Sequence, residues 1–200
     1  MAKRPQRLQD FIDSVRNAVR ANARRPDAVA AGRRIFDALD GAVGSLSRSD
    51  GTRLPACAHF ERALRSARAV SPEIAGVADA FETLEPSLTW VRRAGCETHG
   101  EAFTAGHANT WIVGPAGVEQ RADVIIGASL LAPDLRYPEH HHPPQELYVV
   151  MSEGDWFNRE DGWYTPGPGA IVYHRSNISH AMRSGGAPLL AVWCLAACRT

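Results

Sequence analysis

The sequence predicts a mainly β fold with an α-helical N-terminal region and a C-terminal antiparallel barrel. Residues 1–84 carry apolar side chains at three- and four-residue spacing, the period of one helix face. From Leu88 onward the texture changes to short β-branched and aromatic runs separated by glycine and proline. No helical pattern is read between those runs, so they assemble as an antiparallel sandwich or barrel. The expected division is 1–85 as a helical region packing on the barrel and 86–200 as the barrel itself.

Leu8, Phe11, Ile12, Val15 and Val19 predict a first helix from about Gln6 to Ala23. Pro26-Asp27 begins a second, with Val29, Ile35, Phe36, Leu39 and Val43 on its apolar face and Gly44-Ser45 weakening its end. A third runs from Pro55 through Phe60, Leu64 and Ala67. Ser71-Pro72-Glu73 starts a fourth, with Ser71 as the cap and Pro72 at the first helical position; Glu85-Pro86 closes the region. Strands are expected at Thr89–Arg92, Thr110–Val113, Val124–Ala132, Glu146–Ser152, Ala170–His174, Ser179–Arg183 and Leu189–Leu195, with Gly185-Gly186 turning between the last two.

A chain of 200 residues suffices for one packed domain, and its 44% hydrophobic and 22% charged content is ordinary for a globular protein. Lys+Arg and Asp+Glu both number 22, so no global field favours nucleic acid or acidic lipid. Residues 1–35 are locally basic, which reads as the solvated face of a helix in preference to a DNA-binding appendage. Cys57, Cys96, Cys194 and Cys198 form no C-x-x-C pair and read as reduced, buried residues, with a redox role for Cys194 and Cys198 only a weak idea. No stretch is apolar enough to span a membrane, and the first residues lack a secretory signal. A cytoplasmic protein, monomeric or homodimeric, without nucleic-acid or membrane partners, is the expectation.

The most informative stretch is Tyr137 to Tyr148, Y-P-E-H-H-H-P-P-Q-E-L-Y. On an extended strand His140, His142, Glu146 and Tyr148 share a parity and point one way, while His141 points the other. Imidazole and carboxylate together suit one divalent metal such as Zn, Fe, Mn, Ni or Co. The best further ligand is His180, in G-A-I-V-Y-H-R-S-N-I-S-H, where Arg175-Ser176-Asn177 turns the chain and asparagine tolerates a left-handed backbone. His174, at the strand end before that turn, reads as structural. His59, His99 and His107 have no partners in sequence.

These residues resemble the cupin motifs. The first, G-x5-H-x-H-x3-4-E-x6-G, is met by His140, His142 and Glu146, with Asp134 in place of the opening glycine and Gly154 one residue late. The second, G-x5-P-x-G-x2-H-x3-N, matches by identity only at Gly169 and His180, with Arg175, Asn177 and Ser184 replacing the others. The tyrosines narrow the resemblance: Y-x-x-H-x-H-x3-E-x-Y after a helical region is similar to the cupin-type dimethylsulfoniopropionate (DMSP) lyases of marine bacteria. That resemblance implies a cupin β-barrel and a carbon–sulfur lyase that splits DMSP into dimethyl sulfide and acrylate. It implies His140, His142, Glu146 and His180 as metal ligands and Tyr148 as the base, with Tyr137 assisting in binding or proton handling.

The chemistry suits the residue types. A metal on the substrate carboxylate stabilises the charge that develops when the alpha proton leaves, and favours tyrosinate nearby. The sulfonium is a soft cation without donors, so aromatic faces should hold it; Trp193, Trp163, Tyr173 and Phe157 are the candidates. Two other readings share the scaffold. One is a cupin dioxygenase or isomerase, or a lyase-like enzyme on another small carboxylate. The other is a non-catalytic cupin sensor with a DNA-binding helical head.

Overall fold

The apolar stripe of the first helix is buried along its whole length in the computed structural model, which describes residues 3–47 and 50–196. Helix α1 (Gln6–Asn22) buries Leu8, Phe11, Ile12, Val15 and Val19. Helix α2 (Pro26–Asp40) buries Ile35, Phe36 and Leu39, but it ends before Val43 and leaves Val29 42% exposed. The run from Pro55 opens as a 3₁₀ turn, Pro55–His59, and continues as α3 (Phe60–Arg68). Helix α4 (Pro72–Leu84) starts as the capping chemistry dictates, Ser71 Oγ accepting from the Ile74 N–H at 3.4 Å.

The C-terminal half adds one short helix that was not expected, α5 (Glu101–Gly106), ahead of the barrel strands. The larger sheet runs β1 (Ser45–Leu46), β4 (Glu119–Gln120), β3 (His107–Val113), β5 (Val124–Leu131), β12 (Leu189–Ala196), β7 (Gln145–Val150), β10 (Ile171–His174), with β2 (Trp90–Val91) also on β3. The smaller sheet runs β6 (Arg136–His140), β11 (His180–Arg183), β8 (Asp155–Asn158), β9 (Gly162–Tyr164). Apart from the short β3–β4 contact, the strand pairings are antiparallel. The result is a two-sheet β-barrel with a helical N-terminal region.

Alternation divides the larger sheet's two faces cleanly. Ile126, Ala128, Leu147, Val149, Leu190, Val192 and Cys194 join the helices in one hydrophobic cluster. Tyr148, Val150, Ala191 and Trp193 point the other way and meet Tyr137, Trp156 and Met182 of the smaller sheet. Cys57, Cys96 and Cys194 are buried and free; Cys198 lies outside the described residues. Burial pushes the Cys194 thiol up, away from thiolate chemistry. Among the described residues no helix is long and apolar enough to cross a membrane.

The chain before α1 is tied to the barrel by a buried ion pair. Arg4 holds Glu119 through two guanidinium nitrogens and donates to the Leu39 carbonyl at 2.7 Å. Arg121 Nη1 and the Gly44 N–H reach the same Glu119 oxygen, each at 3.0 Å. Burial would raise the Glu119 carboxyl, but Arg4 and these donors outweigh it and hold it below the usual carboxylate range. Arg4→Ala leaves that carboxylate short of its main partner, and a loss of about 3–5 kcal/mol in urea unfolding is expected.

Candidate metal centre

Two cross-strand pairs, one from each sheet, build the centre. On the smaller sheet His180 is the register partner of His140, and their ring centroids lie 4.2 Å apart. On the larger sheet His174 is the register partner of Glu146. His142 is not on a strand. The stretch read as one extended run breaks into β6, a turn at 141–144, and β7, and His142 sits in that turn. Its side chain still reaches the site, with its ring 5.1 Å from that of His180. His141, in the same turn, is exposed.

The turns that carry the candidate ligands brace each other. Asn177 takes the left-handed conformation expected of it (φ 59°), and its N–H donates to the His142 carbonyl at 2.9 Å. Ser176 Oγ donates to the Pro143 carbonyl at 2.5 Å, and Ser179 Oγ to Glu139 at 2.6 Å. Asp134, standing where the cupin motif has glycine, also adopts a positive φ of 56°. The replaced motif positions therefore keep their turns.

Backbone carbonyls fix the imidazoles. Nδ1 of His140, His142 and His180 lies 2.9, 3.0 and 2.9 Å from the carbonyls of Pro138, Pro144 and Ile178. A carbonyl only accepts, so each Nδ1 carries the proton, and in the neutral ring the Nε2 lone pair is left inward. Nε2 of His142 and of His180 stand 3.2 and 3.1 Å from the same Glu146 oxygen. Lone pair facing carboxylate is repulsive unless a cation, proton or metal, stands with it. His180 Nε2 is a buried atom without a hydrogen-bond partner. The donor set fits a divalent transition metal on its own geometry.

The electrostatics follow from burial and Glu146. Burial opposes ionisation of the Glu146 carboxyl, but the His142 and His180 imidazoles facing it outweigh that and hold it well below the usual range. Burial likewise disfavours charge on His142, yet Glu146 wins and raises it. His140 is pushed down to about 4 by burial and by His180. Burial raises both tyrosines. Glu146 lifts Tyr148 further, while a hydrogen bond from Asn109 and the Arg93 charge oppose the rise at Tyr137.

A cavity of about 300 Å³ opens beside the cluster, lined by His140, His142, Glu146, Tyr137, Tyr148 and Trp193 among others. Of the expected aromatic cage only Trp193 lies there. Phe157 and Trp163 meet as a tilted pair with ring centroids 5.5 Å apart, Phe157 alternating outward from the buried Trp156, and Arg183 and Arg136 lie over the Trp163 ring at 4.5 and 5.2 Å. Tyr173 faces the helices, with Arg25 6.0 Å from its ring. Trp111, which sequence reasoning missed, is the cavity's other tryptophan, 6.3 Å from Trp193 and edge-on to it. Trp111 and Trp193 both register on Gly127, over which the Trp193 ring lies; a Cβ there would come within 2.2 Å of it.

Asn109 and Ser129 were also missed. Trp193 Nε1 donates to Ser129 Oγ at 3.1 Å, Ser129 donates to Asn109 Oδ1 at 2.8 Å, and Asn109 Nδ2 donates to Tyr137 Oη at 3.0 Å. Tyr137 is the acceptor in this relay, so its own O–H is left to donate into the cavity. Period-2 alternation along β3 and β5 was the signal available: His107, Asn109 and Trp111 share the inward face. His107 serves structure, its Nε2 accepting from the Arg93 N–H at 2.8 Å.

Comparison with known proteins agrees with this architecture. The sequence profile of the DMSP lyase family matches residues 28–191. The Cereibacter sphaeroides relative carrying the DMSP-lyase name DddL is 28% identical over 131 residues, 66% of this chain. The match covers 54% of that relative, so the chain spans about half its length. A crystal structure from work on the DMSP lyases RdDddP and RnDddQII superposes with a TM-score of 0.76 at 21% identity, covering 96% of this chain and 93% of the other. The DMSP lyase DddQ from Ruegeria pomeroyi DSS-3 gives 0.70 at 22% identity, covering 94% and 92%. At these identities the two structures establish a shared fold.

Two outcomes are expected of the site. Imidazolium cannot ligate, and His142 holds its proton to a higher pH than an ordinary histidine. Apparent Zn(II) affinity measured by chelator competition should therefore fall by about tenfold per pH unit as pH drops below the His142 pKa. Gly127→Ala drives a methyl into the Trp193 ring and the Thr110 carbonyl, and should cost about 1–3 kcal/mol in chemical denaturation and shift the tryptophan emission.

Proposed function

The chain belongs to the DMSP lyase family, and from that premise we propose that it is a metal-dependent lyase cleaving DMSP to dimethyl sulfide and acrylate by β-elimination. The observation that carries the metal is the pair of carbonyl-locked imidazoles aiming Nε2 lone pairs at one buried carboxylate. A divalent ion held by His140, His142, Glu146 and His180 would supply Lewis-acid stabilisation of the enolate-like charge and favour tyrosinate beside it.

Tyr148 is the proposed base. It is buried, lines the cavity and sits two residues from Glu146 on β7. Glu146, once its charge is neutralised as a ligand, no longer opposes ionisation of Tyr148. The phenolate takes the proton alpha to the carboxylate, the C–H electron pair becomes the new double bond, and the C–S bond breaks toward sulfur. Dimethyl sulfide leaves neutral, acrylate keeps the carboxylate, and the phenol returns its proton to solvent. Tyr137 donates its free O–H to the substrate carboxylate. Trp111 and Trp193 take the sulfonium, at roughly 0.5–2 kcal/mol per contact. Trp163, Tyr173 and Phe157 have no part in this binding.

A second assignment of the base has its own support. Asn109 donates to Tyr137 Oη, and Arg93 lies 5.3 Å from the Tyr137 ring, both of which favour a phenolate there. Matched variants separate the two. Tyr148→Phe is expected to lower kcat by about a hundredfold to ten-thousandfold with metal content unchanged. Tyr137→Phe should act mainly on KM. The reverse pattern exchanges the roles. The activity itself is tested by headspace detection of dimethyl sulfide from metal-loaded protein given DMSP; silence from fully loaded protein overturns it.

A further inference from the structure

His174 has no role in the ligand set proposed above, yet its surroundings are those of a ligand. Its side chain is 1% exposed, and neither ring nitrogen has a hydrogen-bond partner. A neutral imidazole has one donor and one acceptor to satisfy, and native interiors rarely leave both unmet. The other imidazole with a buried orphan nitrogen is His180, whose inward Nε2 is explained by a metal. The His174 ring lies 4.4 Å from the His180 ring and is the cross-strand neighbour of Glu146, on the same face.

Candidate ligand atoms of Glu146, His174 and His180 lie within 4.8 Å of one another, as do those of His140, His142 and His180. The two trios share His180. They differ in access. His140 and His142 line the cavity, whereas His174 does not, and its whole trio is buried. Unlike the other three imidazoles, His174 has no carbonyl fixing its tautomer, so either nitrogen is available to a cation.

We infer that His174 is a fifth metal-binding side chain of this centre, closing its buried side while the cavity side remains open to substrate. The inference rests on the reading that the centre holds a metal. It assigns the ion a protein ligand on each side of Glu146: His142 from the turn and His174 from the neighbouring strand.

The test uses the full chain stripped of metal and titrated with Zn(II) against a chromophoric chelator, with the visible spectrum of the Co(II) form as a second readout. His174→Leu removes both nitrogens at similar volume, and His174→Gln keeps a polar side chain should the first variant fail to fold. The expected result is a zinc dissociation constant raised at least about tenfold and an altered Co(II) spectrum. The metal-free thermal midpoint of His174→Leu should hold or rise, since an unsatisfied buried group is gone, while the increment gained on adding zinc shrinks. A merely structural His174 would instead lower the metal-free midpoint. Unchanged zinc affinity and an unchanged Co(II) spectrum in a folded variant overturn the role of His174 and leave the lyase proposal standing. Failure of the unaltered chain to bind either ion overturns the metal reading and this inference together.

Discussion

Everything in the centre turns on one electrostatic confrontation: a buried carboxylate faced by imidazole nitrogens that carry no proton of their own when neutral. Three backbone carbonyls set those tautomers, and strand register sets their direction. A protein interior tolerates such an arrangement only when a positive charge stands in it. Protons satisfy it in the metal-free state, which is why Glu146 is held low and His142 high. A divalent cation satisfies it better, because several lone pairs converge on one point.

The same burial explains why the proposed tyrosine base would need help. Tyr148 is 3% exposed beside an anionic Glu146, and both conditions favour the neutral phenol. Tyr137 is buried as well but has compensation from Asn109 and Arg93. Two phenols of one cavity are thereby separated by their neighbours, one ready to donate and the other dependent on neutralisation of the carboxylate for its acidity. Pairs of titratable groups driven apart by environment are the usual basis for assigning acid and base roles.

Local chemistry was legible in the sequence; cross-strand chemistry, the meeting of His180 with His140 apart, was not. The stripe of α1, the Ser71 cap and the left-handed Asn177 depend on near neighbours, and each reads correctly; the shared parity of His140 and Glu146 does not apply, since a turn separates their strands. His142 reached the site for a different reason than parity, since a turn and not a strand carries it. His174, Asn109 and Ser129 acquire their meaning from register between strands distant in sequence, which composition does not encode. The aromatic cage failed similarly. Trp163 and Phe157 belong to strands β8 and β9, which were not foreseen, so their outward face was not visible either. Trp111 lay within a foreseen strand, but its partner Trp193 is reached only through Gly127.

The helical region bears on the chemistry through the back of the larger sheet. Strand β7 has two faces in use, and adjacent residues serve opposite ones: Leu147 meets the helices, while Glu146 and Tyr148 meet the site. Helix α2 approaches β7 closely enough that a Cβ on Gly32 would lie 3.6 Å from Leu147 and 2.8 Å from Val19. Interiors at this packing density transmit displacements in place of absorbing them. A shift of α2 therefore moves β7, and with it the carboxylate and the phenol on its other face. Such coupling makes the helices part of the site's geometry although, among the described residues, none of their side chains lines the cavity beside the histidine cluster.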